Sequence, residues 1–140
     1  MEMIIGLIGV LVSIIAMVIS VITYVKTYLY EKRRLTIDKY IELQDFLYCI
    51  SEYSLEELED FVDDKTSEEY RILVSCLARI ELFAIGVKKK IYDYKVFYEI
   101  GHGYLDGAIR PQILYLLSTK KNADTYYANT IWILNKMEQD

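Results

Sequence analysis

The side chains that do covalent or metal chemistry in most enzymes are scarce in this chain. It has one histidine, His102, set between Gly101 and Gly103, and two cysteines, Cys49 and Cys76, each inside an apolar helical pattern. None of them stands at metal-ligand spacing with another ligand type. No glycine-rich loop follows a strand, and no nucleophile elbow is present. The expectation is of a non-enzyme with no catalytic residue, no metal and no cofactor. His102 reads as a packing or interface residue. The cysteines read as small buried hydrophobes in a reduced compartment.

Binding chemistry is better supplied. Lys88-Lys89-Lys90 is a compact basic run followed by Tyr92 and Tyr94, and Lys120 and Lys121 recur beside Tyr126 and Tyr127. Ammonium groups attract phosphates and tyrosine rings stack on bases. Lys88, Lys89, Lys90, Tyr92, Tyr94, Lys120 and Lys121 are therefore the candidates for an anionic ligand, a nucleotide or single-stranded nucleic acid. Two other accounts of the run compete with this one: lysines at the negative end of a helix dipole, and contact with anionic lipid if the run lies near a membrane. Most of the 14 tyrosines are expected to be bundle packing with the hydroxyl at the surface. Charge is also unevenly spread. Residues 52–69 hold nine acidic side chains and one lysine, whereas residues 70–137 hold ten basic and five acidic ones. The acidic block reads as a solvated surface.

The elements that must position these groups begin with a membrane segment. From Met3 to Val25 no residue is charged. A helix of that length is roughly 35 Å long, enough for a hydrocarbon core of about 30 Å, and backbone groups in lipid must be satisfied within the segment. The acidic start Met1-Glu2-Met3 and the length of the apolar run are unlike a cleaved signal peptide. Lys26, Lys32, Arg33 and Arg34 follow the run and no basic residue precedes it. That asymmetry predicts a short N-terminus outside and the rest of the chain in the cytoplasm. Tyr24, Tyr28 and Tyr30 suit an aromatic belt at the inner interface.

Inside the span, Gly6, Gly9, Ser13, Ala16, Ser20, Thr23 and Thr27 recur in alternating steps of three and four. An average step of 3.5 keeps such a stripe on one side of a left-handed supercoil. Small faces let helices approach closely and let hydroxyls bond across the contact. These seven residues are the candidates for helix packing in a homo-oligomer, or for the lining of a narrow, weakly polar pore. A monomeric anchor would leave the periodicity without a cause.

The remaining elements are read from caps, because the next glycine after Gly9 is Gly86 and the only proline is Pro111. Ile37, Tyr40, Ile41, Leu43, Phe46, Leu47 and Ile50 carry the first helix on to about Ile50. Ser54 with Glu57, and Thr66 with Glu69, read as capping boxes opening two further helices. The second of these carries Ile72 to Val87 and stops near Gly86 and the lysine run. Asp93 caps a helix whose pattern passes through Gly101-His102-Gly103, where a kink or close helix packing is expected, and continues towards Leu117, with Pro111 opening its second half. Asn122 or Asp124 starts a last helix. No run of period-2 alternation appears. The expected fold is all-α: a transmembrane helix with its flanks in residues 1–30, continuing into a cytosolic helical bundle in residues 31–140.

At Arg79-Ile80-Glu81-Leu82-Phe83-Ala84-Ile85-Gly86-Val87, followed by Ile91-Tyr92-Asp93, the chain resembles a family of bacterial helical domains of unknown function. Members often carry one N-terminal membrane helix and turn up beside phage-defence genes. The resemblance covers roughly residues 30–138, follows a Glu-x-x-Ala-x-Gly-Val…Tyr-Asp pattern and marks no catalytic residue. In the lysine-run segment the family often has a glycine where this chain has Lys89 or Lys90. Size and layout also resemble the membrane effectors of the two-gene Hailong defence systems. In those, a partner nucleotidyltransferase makes single-stranded DNA oligomers that hold an oligomeric channel shut. The resemblance implies an inner-membrane effector of antiphage defence, forming an ion channel or pore and gated by a nucleotide or single-stranded DNA bound to its cytosolic domain. Its partners would be lipid, its own copies and that ligand. The rival expectation is a non-conducting membrane scaffold that recruits a cytosolic partner.

Overall fold

The structure is a computed structural model describing residues 1–140, the side chain of Glu2 excepted. It is all-helical. One helix, α1 (Glu2–Ser51), runs unbroken for 50 residues, roughly 75 Å. Its first half is exposed on every side and is long and apolar enough to cross a membrane. Burial begins at Thr36 and continues through Tyr40, Leu43, Leu47 and Ile50, which face the bundle. The bundle comprises α2 (Leu55–Asp63), α3 (Glu68–Lys88), α4 (Tyr94–Leu105), α5 (Arg110–Ser118), the single turn α6 (Ala123–Tyr126) and α7 (Ala128–Gln139).

The core joins that stripe of α1 to Leu73, Leu77, Ile80, Phe83 and Val87 of α3, Phe97 of α4, Ile113 and Leu116 of α5, and Ile133 and Leu134 of α7. Helix α3 runs antiparallel to α1. Arg79 sits over the Phe46 ring near the far end of α1, and the Asp93 N–H, just past α3, donates to Thr36 Oγ1 at 2.7 Å. The C-terminal end of α3 is thus the end nearest the apolar segment.

The local signals explain most helix starts. Ser54 and Glu57 form a reciprocal capping box on α2, and Asp93 Oδ1 accepts from the N–H groups of Lys95 and Val96 at the start of α4. Pro111 lies in the first turn of α5, where its missing N–H costs nothing.

Three expectations are corrected. The box of Thr66 with Glu69 does not form: Asp64 Oδ1, the stronger acceptor, takes both the N–H and the hydroxyl of Thr66, and Ser67 becomes the cap by accepting from the Tyr70 N–H. The Asp93 helix does not continue towards Leu117 but ends at Leu105, where the N–H groups of Ala108 and Ile109 both turn back to the Tyr104 carbonyl. Of the two expectations at 101–103, close helix packing holds and the kink does not: a Cβ on Gly101 would stand 2.8 Å from the Tyr40 ring. The last helix is split: Asn122 takes a left-handed φ of 62° before α6, and α7 begins only at Ala128.

Candidate functional site

The small-residue stripe and the bundle occupy opposite sides of one helix. At about 100° per residue, the centre of Gly6–Thr27 falls roughly half a turn from the centre of the Thr36–Ile50 buried face. The same outward face continues past Thr27 through Arg34, Asp38, Ile41 and Asp45, all exposed. Within the chain the stripe has nothing to pack on. A Cβ on Gly6 or Gly9 would meet no atom within 4 Å, whereas Gly86 and Gly101 are filled by aromatic rings. Glycine inside a helix costs about 0.5–1 kcal/mol relative to alanine, so Gly6 and Gly9 have no intrachain justification. Ser13 donates to the Gly9 carbonyl at 2.9 Å, Ser20 to that of Ala16 at 2.8 Å and Thr23 to that of Ile19 at 2.9 Å. Each hydroxyl donor is therefore satisfied without water and keeps a lone pair to offer a neighbour.

The structure separates the basic candidates into two groups. Lys88, Lys89 and Lys90 close α3. The Ile91 N–H bonds to the Gly86 carbonyl (2.9 Å) and the Lys90 N–H to that of Val87 (3.0 Å), a Schellman turn. Lys90 holds the left-handed position with φ 61°, which glycine fills without steric cost. Lys90→Gly is expected to stabilise the chain by about 0.5–1 kcal/mol, read as a higher midpoint in urea; a lower midpoint would show that the ammonium outweighs the strain. Lys88 Nζ lies over the Trp132 ring, 5.7 Å from its centroid. Tyr92 is stacked on Phe83. Tyr94 donates its hydroxyl to Asp140 at 2.7 Å and lies under Lys136; burial and that bond push its pKa up, so it is engaged in packing.

Lys120 and Lys121 are elsewhere. Lys120 Nζ donates to the Tyr70 hydroxyl at 2.6 Å, in the first turn of α3, roughly 27 Å along that helix from Lys88. One ligand contact cannot use both groups unless it is an extended strand. Lys120 and Lys121 do share an open cleft of about 480 Å³ with Tyr126, Tyr127, Leu82 and Glu81. Tyr126 is 68% exposed, so its ring and the exposed Lys121 present a stacking surface beside a cation. A smaller cavity of about 230 Å³ lies between α1 and α3, lined by Lys39, Glu42, Phe46, Arg79 and Tyr92.

Two structural residues were not legible in advance. Glu81, buried in α3, accepts from Asn129 N–H (3.2 Å), Asn129 Nδ2 (2.6 Å), Thr130 N–H (2.7 Å) and Thr130 Oγ1 (2.8 Å). It caps α7 from another helix. Arg110 binds Asp106, Glu138 (2.7 Å) and the Leu134 carbonyl (3.1 Å), tying α5 to α7. The Glu-x-x-Ala-x-Gly-Val…Tyr-Asp pattern is thereby a folding module. Glu81 caps α7, Ala84 and Val87 are core, Gly86 admits the Tyr92 ring, and Asp93 caps α4.

Cys76 is fully buried and its thiol is pushed up to about 11 by burial, so it carries no nucleophilic thiolate. His102 is exposed, stacked on Tyr98, with Nδ1 2.7 Å from the Tyr98 carbonyl. Among the described residues no group of His, Cys, Asp or Glu is placed to hold a metal ion. No protein-family model, curated protein or solved structure matches the chain.

Proposed function

We propose that this chain is an oligomeric single-pass effector of bacterial antiphage defence that forms a pore in the inner membrane. The observation that carries the reading is the opposition of faces on α1. If copies pack through Gly6–Thr27, their bundles lie on the outside of the assembly and the stripe lies at its centre. A ring built this way has a narrow lumen of glycine, alanine and hydroxyl groups. The basic flank Lys26–Arg34 supports an orientation with the N-terminus outside and the bundle in the cytoplasm. The defence setting rests on the resemblance carried by residues 79–93. The cleft of Lys121 and Tyr126 is the place for a nucleotide or a single-stranded DNA signal, by a cation on phosphate and a ring under a base.

The test is expression in bacteria with a membrane-potential dye, comparing wild type with Ser13→Leu and Ser20→Leu. Leucine in the stripe is expected to abolish depolarisation while the chain remains in the membrane. Depolarisation unchanged by both substitutions would remove the stripe from any pore. A non-conducting scaffold is the second reading, favoured by the satisfied hydroxyls of Ser13, Ser20 and Thr23, which need no water. It predicts oligomers without conductance and tolerance of an unrelated transmembrane helix in place of residues 3–25.

A further inference from the structure

We infer that the α3–α4 turn, Lys88 to Ile91, is a second membrane contact of the chain, docking on anionic phospholipid headgroups. The inference rests on the reading of α1 as a membrane span and adds to it a surface that no pore requires.

The turn is tied to α1 by the 2.7 Å bond from the Asp93 N–H to Thr36 Oγ1, and Arg33 lies 4.0 Å from the Asp93 carboxylate. Thr36 is six residues beyond Tyr30, the last aromatic of the interfacial belt, roughly 9 Å along the helix. Helix α3 reaches this level running towards the apolar segment, so its final lysines are at its leading edge. That distance is within the reach of an anionic surface, whose potential decays over about 8–10 Å.

Lys88, Lys89 and Lys90 are exposed, and Lys32, Arg33 and Arg34 stand on the adjoining turns of α1. These six basic side chains outnumber the four carboxylates nearby: Asp93 caps α4 and faces Arg33, Asp38 lies 3.8 Å from Arg34, Asp140 is held by Tyr94 and Lys136, and Glu31 is exposed on α1. The patch is therefore cationic. At its tip Ile91 is 55% exposed, an isoleucine following three lysines. An apolar residue is common at this position of a Schellman turn, but its exposed half is free for an interface, which would use both groups: ammonium groups for phosphates and an apolar side chain for the headgroup–acyl boundary. The Schellman bonds fix the turn, so little ordering is lost on contact.

The test uses the full chain in nanodiscs with Ile91→p-benzoylphenylalanine, which keeps the apolar tip and all three lysines. On illumination, lipid adducts are expected in discs containing anionic phosphatidylglycerol. They should be at least about tenfold fewer in all-phosphatidylcholine discs, and equally reduced by Lys88→Glu/Lys89→Glu/Lys90→Glu in the same chain. The matched control is Ile72→p-benzoylphenylalanine, exposed at the far end of α3, which should give no lipid adduct. Equal adducts in both lipids, adducts to a second copy, capture of an added oligothymidine instead of lipid, or no adduct would each overturn the proposal. Alkaline carbonate extraction of the same variants separates this from failure of the span. If α1 crosses the membrane, all of them stay in the pellet whatever the turn does; release of all would sink the span itself.

Discussion

Glu81→Ala should lower the stability of the bundle by roughly 3 kcal/mol, with the loss felt first at α7. The reason is the number and kind of groups it would strand. Glu81 is only 9% exposed, and its two oxygens take two backbone N–H groups, an amide and a hydroxyl. The N–H groups are those a helix leaves unpaired in its first turn, and a carboxylate there also meets the positive end of the dipole. Hydrogen bonds to a charged group contribute about 1.5–3 kcal/mol, and buried donors left without acceptors add their own cost. Thr130 is fully buried, so its N–H and hydroxyl are the donors most completely stranded. Glu81→Gln keeps one acceptor oxygen and should fall between the two. Trp132, the only tryptophan, lies in the second turn of α7 and reports its fraying directly. Urea titration of the full chain in detergent, followed by that fluorescence, measures the effect. A loss below about 1 kcal/mol would mean that α7 finds another cap.

What was legible in the sequence was what depends on neighbours in the chain. The charge-free run before Lys26, the reciprocal pair Ser54 and Glu57 and the Asp93 cap are all local, and the helices form where they predict. The absence of glycine and proline between Gly9 and Gly86 allows the unbroken α1. What could not be read depends on contacts far along the chain. The donors to Glu81 lie 48 and 49 residues on, so a glutamate in an apolar helix face gave no sign of its task. Thr66 lost its capping role because its own N–H and hydroxyl donate to Asp64, a choice between near-equal local options. The lysine run looked like a ligand site because its composition is one. Only the fold reveals that Lys90 closes a Schellman turn, and that Lys120 and Lys121 sit at the other end of α3. The stripe was legible as a period, but its direction was not. That direction needed the buried face of Thr36 to Ile50 on the same helix as a reference.

Gly86→Ala should cost about 1–3 kcal/mol, and its effect should reach the membrane-proximal turn. A Cβ on Gly86 would stand 2.5 Å from Cδ2 of Tyr92 and closer still to Cε2. The ring borders the cavity between α1 and α3, but moving into it breaks a stack. It stacks on Phe83 with centroids 5.2 Å apart, and Phe83 packs edge-on against Phe97 at 5.1 Å. The backbone is equally held, because the N–H groups of Ile91 and Tyr92 both bond to the Gly86 carbonyl. An added methyl must therefore either unstack Tyr92 or open the turn. The same urea titration measures the cost, and a double-mutant cycle with Tyr92→Ala identifies its source. If the clash is with the ring, the pair should cost less than the sum of the singles by about 1 kcal/mol or more. Additive losses would place the strain in the α3 backbone instead. The substitution changes no charge, yet it displaces the segment that carries Lys88 to Ile91. Lipid adducts at residue 91 should therefore fall with all three lysines present, separating the geometry of the turn from its charge.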